Sequence, residues 1–242
     1  MLLPLLRSTC PASLTLMVGL AGATSAWAGL PLQTDDAGVL AGAECELEVM
    51  AERLAAGAAK AEGQGLAAGC GIGWRSQLGL AFATARADGV RTDAWALGGK
   101  TALWRGGEGE DAPALALSWS LDWARSDGSG WQHAATELAL VYSAPAGAAL
   151  TWHASLAHAR DQLGHTSATG WGLALEHAGW ELAGVGVAPM AELVGDDRES
   201  PWWNAGLRAT LAPERAWLGL SYGRQTDGER ASLTTAGLKL AF

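Results

Sequence analysis

Residues 231–242 read Ala231-Ser-Leu-Thr-Thr-Ala-Gly-Leu-Lys-Leu-Ala-Phe242, and their character alternates at every second position up to a terminal aromatic. Ala236, Leu238, Leu240 and Phe242 fall on one side, and Thr235, Gly237 and Lys239 on the other. Successive side chains of a strand point to opposite faces, so this is a ribbon with one apolar face. Chain ends are usually frayed and polar. A half-apolar strand sustained to the final residue suits a closed barrel in lipid, whose last strand must pair with its first and leave no open edge.

The same alternation recurs along the chain, near 45–54, 64–74, 78–87, 93–104, 113–124, 132–143, 149–159, 167–177, 180–193, 202–212, 216–224 and 231–242. The fifth run is the clearest. Leu115, Leu117, Trp119, Leu121 and Trp123 oppose Ala114, Ala116, Ser118, Ser120 and Asp122. The ninth has no clean phase, because its centre is Gly-rich and Pro189 should interrupt it. The expectation is an all-β chain: a single transmembrane antiparallel β-barrel of about twelve strands, with ten or fourteen as the neighbouring even counts.

Connections and tryptophans give two further expectations. Polar segments such as Ser126-Asp-Gly-Ser-Gly130 and Gly195-Asp-Asp-Arg-Glu-Ser200 read as longer outer loops, and Arg75-Ser-Gln77 and Pro213-Glu-Arg215 as tight periplasmic turns. Gly106–Asp111 is longer than a periplasmic turn should be. Indole favours the headgroup level of a bilayer. Trp74, Trp104, Trp152, Trp180 and Trp217 would band one rim, and Trp95, Trp123, Trp131, Trp171, Trp202 and Trp203 the other, with Trp119 between them.

The first residues point to export. Arg7, the apolar run Leu14–Ala23 and Ala26-Trp27-Ala28 make residues 1–28 a signal peptide. Residues 29–44 then form a periplasmic lead-in too small to serve as a plug, and 45–242 the barrel. The signal holds one Arg and no acid, so the formal charge of −9 becomes −10 in the mature chain. That acidity argues against a nucleic-acid partner. The remaining cysteines, Cys45 and Cys70, would sit near the same end of the first two strands with matching facing, within disulfide range. The aromatic end at Phe242 is similar to the C-terminal signature of bacterial outer-membrane proteins, which implies outer-membrane lipid and the barrel assembly machinery as partners.

Leu30-Pro-Leu-Gln-Thr-Asp-Asp-Ala-Gly38, followed by Cys45-Glu-Leu-Glu48, resembles the start of the outer-membrane transporter family named after the MetA pathway of phenol degradation. The resemblance implies a barrel associated with uptake of small, often aromatic, compounds. It carries no binding residues across. Read from its residues alone, Thr34-Asp35-Asp36 is a polar turn sealing the periplasmic mouth.

Alternation turns a sparse ionisable set to the lumen: Glu46, Glu48, Glu52, Lys100, Asp122, Glu137, His153, Glu176, Arg208 and Lys239. Such groups tune which solutes pass or hold the lumen's shape as ion pairs. Lys239 should meet Glu46 or Glu48 when the last strand closes on the first. Enzymatic motifs are missing from the sequence: no glycine-flanked serine elbow and no paired-His metalloprotease pattern. Gly69-Cys-Gly-Ile-Gly73 lacks the helix a nucleotide loop needs, and His153 and His158 face opposite sides. No cofactor, metal or catalytic residue is therefore expected. The expected function is a porin-like channel or passive transporter for small, aromatic or hydrophobic, solutes. The alternatives are a closed barrel with a structural or surface-interaction role and, third, a barrel-borne lipid-modifying enzyme.

Overall fold

The computed structural model describes residues 30–107, 112–227 and 231–242. The expected signal peptide lies outside the described residues. The strands are β1 (Cys45–Ala56), β2 (Ala59–Gly73), β3 (Ser76–Ala87), β4 (Val90–Arg105), β5 (Ala114–Ser126), β6 (Gln132–Pro145) and β7 (Leu150–Asp161). They continue with β8 (Thr166–His177), β9 (Trp180–Leu182), β10 (Val185–Asp196), β11 (Trp202–Ala212), β12 (Ala216–Gln225) and β13 (Ser232–Ala241).

Twelve of these are the staves of a closed antiparallel barrel. Each pairs with its chain neighbour, β8 passes directly to β10, and β13 closes on β1. Phe242 itself completes the seam, exchanging backbone hydrogen bonds of 2.9 Å with Cys45. The three-residue β9 is not a stave; it pairs only with Val185–Val187 at the foot of β10. The ninth stave therefore begins at Val185 and not at residue 180. Pro189 falls between the end of the β9 pairing at Val187 and the start of the β8 pairing at Met190, so its missing N–H breaks no ladder on that side.

β1 and β13 both place their terminal ends, Cys45 and Ala241, on what is here called the terminal rim; the far rim is opposite. The expected contrast between long outer and short inner connections is not found. Far-rim connections are as tight as Gly57-Ala58 and Asp88-Gly89, while residues 106–113 on the terminal rim are longer. Asp88 and Gly89 both have positive φ (48° and 85°), the geometry of a two-residue hairpin turn that matches strand twist. This turn lets β3 and β4 run to their last residues.

The outward face is apolar. Leu66, Leu80, Phe82, Leu138, Leu156, Leu173, Leu193, Leu207 and Leu220 are all exposed, each alternating with a small or buried inward residue. In water this belt would be untenable. Against hydrocarbon it is required, since the backbone of the wall is paired strand to strand around the closed sheet. Cys45 and Cys70 are directly paired across β1 and β2, with Cα atoms 4.1 Å apart, and form a disulfide.

The inward face is dominated by alanine. Ala81, Ala94, Ala96, Ala124, Ala134, Ala135 and Ala159 are buried in one cluster that runs across the neighbouring staves β3 to β7. Toward the far rim a larger apolar group fills the bore: Leu54, Val194, Trp202 and Leu233 with Ala85, Ala87 and Ala231. Trp202 is 1% exposed and points inward, not to the rim band expected of it. Trp217 also lines the interior. Trp203, not Trp202, takes the outward position, because β11 opens on two consecutive tryptophans and only one can face lipid.

Candidate functional site

Residues 30–40 lie inside the barrel. The lead-in expected below the mouth is instead threaded into the terminal half of the bore, with Leu30, Leu32, Thr34 and Ala37 all at most 5% exposed. The wall is shaped to admit it. A Cβ on Gly206 would come 2.8 Å from Pro31, on Gly219 3.0 Å from Pro31 and on Gly237 2.6 Å from Leu30. Those glycines leave the trough in which the segment starts, and the Ser221 hydroxyl donates to the Pro31 carbonyl at 3.0 Å.

From there the segment crosses the bore and finds partners on β10, β4, β6 and β3 in turn. Leu32 packs on Ala174 of β8 and Met190 of β10. The Gln33 and Thr34 amides donate to the two oxygens of the Glu192 carboxylate at 2.8 and 2.7 Å, and Asn204 Nδ2 donates to the same group at 2.7 Å. Lys100 Nζ donates to Asp35 Oδ1 at 2.7 Å and to the Asp36 carbonyl at 2.9 Å. The Ala37 amide donates to Ser143 Oγ at 2.8 Å while its methyl joins Ala114, Ala116 and Val141. The Leu40 amide donates to Gln77 Oε1 at 2.8 Å. Thr34-Asp35-Asp36 is therefore an interior latch and not a turn at the mouth.

A second charged group adjoins the latch. Lys239 Nζ reaches Glu46 at 2.5 Å and Glu48 at 3.0 Å across the closing seam. Arg208 pairs with Glu176, whose other oxygen lies 3.9 Å from His153 Nε2. His153 Nδ1 shares a 2.8 Å hydrogen bond with Ser143 Oγ, the acceptor of the Ala37 amide. Between these pairs, Leu30, Asp36, Arg208, Trp217, Gly219 and Lys239 enclose a cavity of about 190 Å³. Chemically the arrangement can hold a polypeptide strap or, in its absence, water and a slim solute.

The sequence-derived candidates thus divide. Glu48, Lys100, His153, Glu176, Arg208 and Lys239 gather around the strap. Glu52 is buried nearer the far rim, as is Asp122, which accepts from Ser120 Oγ at 3.0 Å; Glu137 is half-buried on the neighbouring strand, opposite Ser120. These three do not join the latch. Glu192, Gln77 and Ser143 were missed as strap partners, and Asn204 as the residue that holds Glu192. Glu192 lies on the stave whose phase Pro189 and its glycines obscured, and the other three are neutral.

No family model matches the chain, and no curated protein matches it. Its shape has relatives among solved structures. The KdgM porin in complex with disordered oligogalacturonate aligns at 8% identity and TM-score 0.60, covering 81% of this chain and 99% of that one. The fold is that of an outer-membrane barrel. The COG4313 outer membrane channel of Pseudomonas putida F1 aligns at 11% identity and TM-score 0.56, over 86% of this chain and 98% of that one. The β domain of the Bordetella autotransporter BrkA aligns at 18% and 0.55, over 83% of this chain and 100% of that one. Porins and channels are thus among its structural neighbours, and so are autotransporter barrels.

Proposed function

We propose that the protein is a passive, porin-like channel of the bacterial outer membrane for small solutes, held shut in this conformation by residues 30–40. One observation carries the reading: in the terminal half of the bore, key polar wall groups are satisfied by a strap that is not part of the wall. Glu192, Lys100, Gln77 and Ser143 each bond to it, and with the strap withdrawn they would line a wet passage. The 190 Å³ cavity sets Leu30 and Trp217 among Asp36, Arg208 and Lys239, which suits a small aromatic solute. That agrees with the solute class implied by the resemblance to the phenol-degradation family.

A closed, structural barrel is the second reading, favoured by Trp202, Leu54, Val194 and Leu233 filling the far bore. In a channel the same group would be a hydrophobic constriction that gates by dewetting. Conductance in planar bilayers separates the two. The intact mature chain is expected to open rarely, deletion of residues 30–40 to give steady current, and Trp202→Ala on that background to enlarge it. Folded variants, identified by heat-modifiable gel migration, that pass no current in either form would overturn the channel.

A further inference from the structure

We infer that the outward face of β13 and β1–β5 at the far rim docks the phosphorylated glycolipid of the outer leaflet, its phosphates held by Arg53, Arg86, Arg91 and Arg125. The inference rests on the reading of the chain as an outer-membrane barrel, and not on whether the barrel conducts.

Charge is distributed unevenly on this acidic protein. Among the described residues, Arg53, Lys60, Arg86, Arg91, Arg125, Arg160 and Arg224 are exposed on outward positions toward the far rim, while Arg75, Arg105 and Arg215 serve the terminal rim. Five of the far-rim cations lie on β1–β5, against Glu62 and Asp93 on the same strands and Asp88 and Asp127 in the turns beside them. Between Arg53, Glu62, Gln64, Thr84, Arg86 and Arg91 the outer wall forms a hollow of about 650 Å³.

The hollow is organised for anions. Asp93 accepts from Arg91 Nε at 2.8 Å and from Arg125 at 3.1 and 3.2 Å, so one carboxylate fixes two guanidinium planes and leaves a net positive charge. Arg125 is further held over the Trp131 ring at 4.8 Å. Arg86 and Arg91 are direct cross-strand partners. Like charges placed opposite one another destabilise a ladder unless an anion lies between them. Guanidinium groups bind phosphate with paired, charge-assisted hydrogen bonds.

What lies below the hollow selects the occupant. Descending β3 from Arg86 the outward residues are Thr84, Phe82 and Leu80, and descending β2 from Glu62 they are Gln64 and Leu66. The stacked rings of Trp95 and Trp123, 4.0 Å apart, mark the same transition on β4 and β5. The cationic hollow is thus continuous with the lipid-facing belt. A soluble anion would have no use for that belt. An amphiphile carrying more than one phosphate above several acyl chains fits both parts.

The test uses the intact mature protein in neutral detergent, titrated with bisphosphorylated lipid A, dephosphorylated lipid A, phosphatidylglycerol and inorganic phosphate, and read by native mass spectrometry. Bisphosphorylated lipid A is expected to bind at least about tenfold more tightly than either other lipid. Arg86→Gln with Arg91→Gln should remove that preference, and Arg160→Gln with Arg224→Gln should keep it. Equal binding of all three lipids, an unchanged preference in the first variant, or binding of inorganic phosphate alone would overturn the proposal. Outer-membrane fractionation and heat-modifiable migration of each variant report on the barrel reading separately.

Discussion

Lys100, only 4% exposed, donates to Asp35 and to the Asp36 carbonyl, and so grips both the side chain and the backbone of the strap. Removing one member of an enclosed ion pair leaves the other charge unsolvated, at a cost of roughly 3–5 kcal/mol. Lys100→Met is therefore expected to undock the strap while sparing the wall. Hydrogen exchange should show lost protection at Gln33, Thr34 and Ala37, whose amides bond to the wall, with strand protection retained. Adding Asp35→Asn should restore most of it, because the stranded charge is gone. Lys100 was legible as an inward residue from alternation alone. Its partner was not, since Asp35 is 65 positions away and no local pattern links them. Trp202 was misread for a related reason: of two adjacent tryptophans, sequence cannot say which one takes the lipid face.

Among the elements, the β1–β2 hairpin shows what spacing can reveal. Its register pairs Cys45 with Cys70 and Glu46 with Gly69, and the turn at Gly57 is so tight that Ala56 pairs with Ala59. Two strands in unbroken register from a short turn bring equidistant residues together, which is why the disulfide could be read from position and facing. A cross-link closing a separation of 25 residues restricts the unfolded chain by about 3 kcal/mol in the loop-entropy model. Cys45→Ser with Cys70→Ser should lower the urea midpoint of refolded barrels in vesicles by a corresponding amount without changing the strand content. The same bond ties down the terminal rim beside the strap, where Gly42 bridges to Gly71. Elements without a period were the ones that could not be read. β10 lost its phase to Pro189 and its glycines, and residues 30–44 have no alternation because they cross from stave to stave and do not run along one.

At the scale of the whole molecule, two surfaces impose different rules on one sheet. The outer surface must match hydrocarbon, and it does so with leucine on nearly every stave; the inner surface must fit a strap at one end and an apolar constriction at the other. Period-2 alternation reports that the surfaces differ, which is why the barrel and its staves could be anticipated. It carries no information on what fills the bore, since alanine and glycine serve equally beside water, a strap or an opposite wall. The division can be tested at adjacent positions of β7. Leu156 is exposed on the outside and Ala157 is buried on the inside, each near the middle of the strand. An arginine facing lipid near the bilayer midplane costs about 2–4 kcal/mol, and close to an interface only about 0–1 kcal/mol. Leu156→Arg should therefore reduce folding into vesicles by that larger amount. Arg160 stands four residues further toward the far rim on the same face, and Arg160→Leu should change little. Equilibrium folding of both variants into vesicles, followed by tryptophan emission and heat-modifiable migration, measures the difference. A Leu156→Arg barrel as stable as the parent would mean that the leucine belt does not face hydrocarbon.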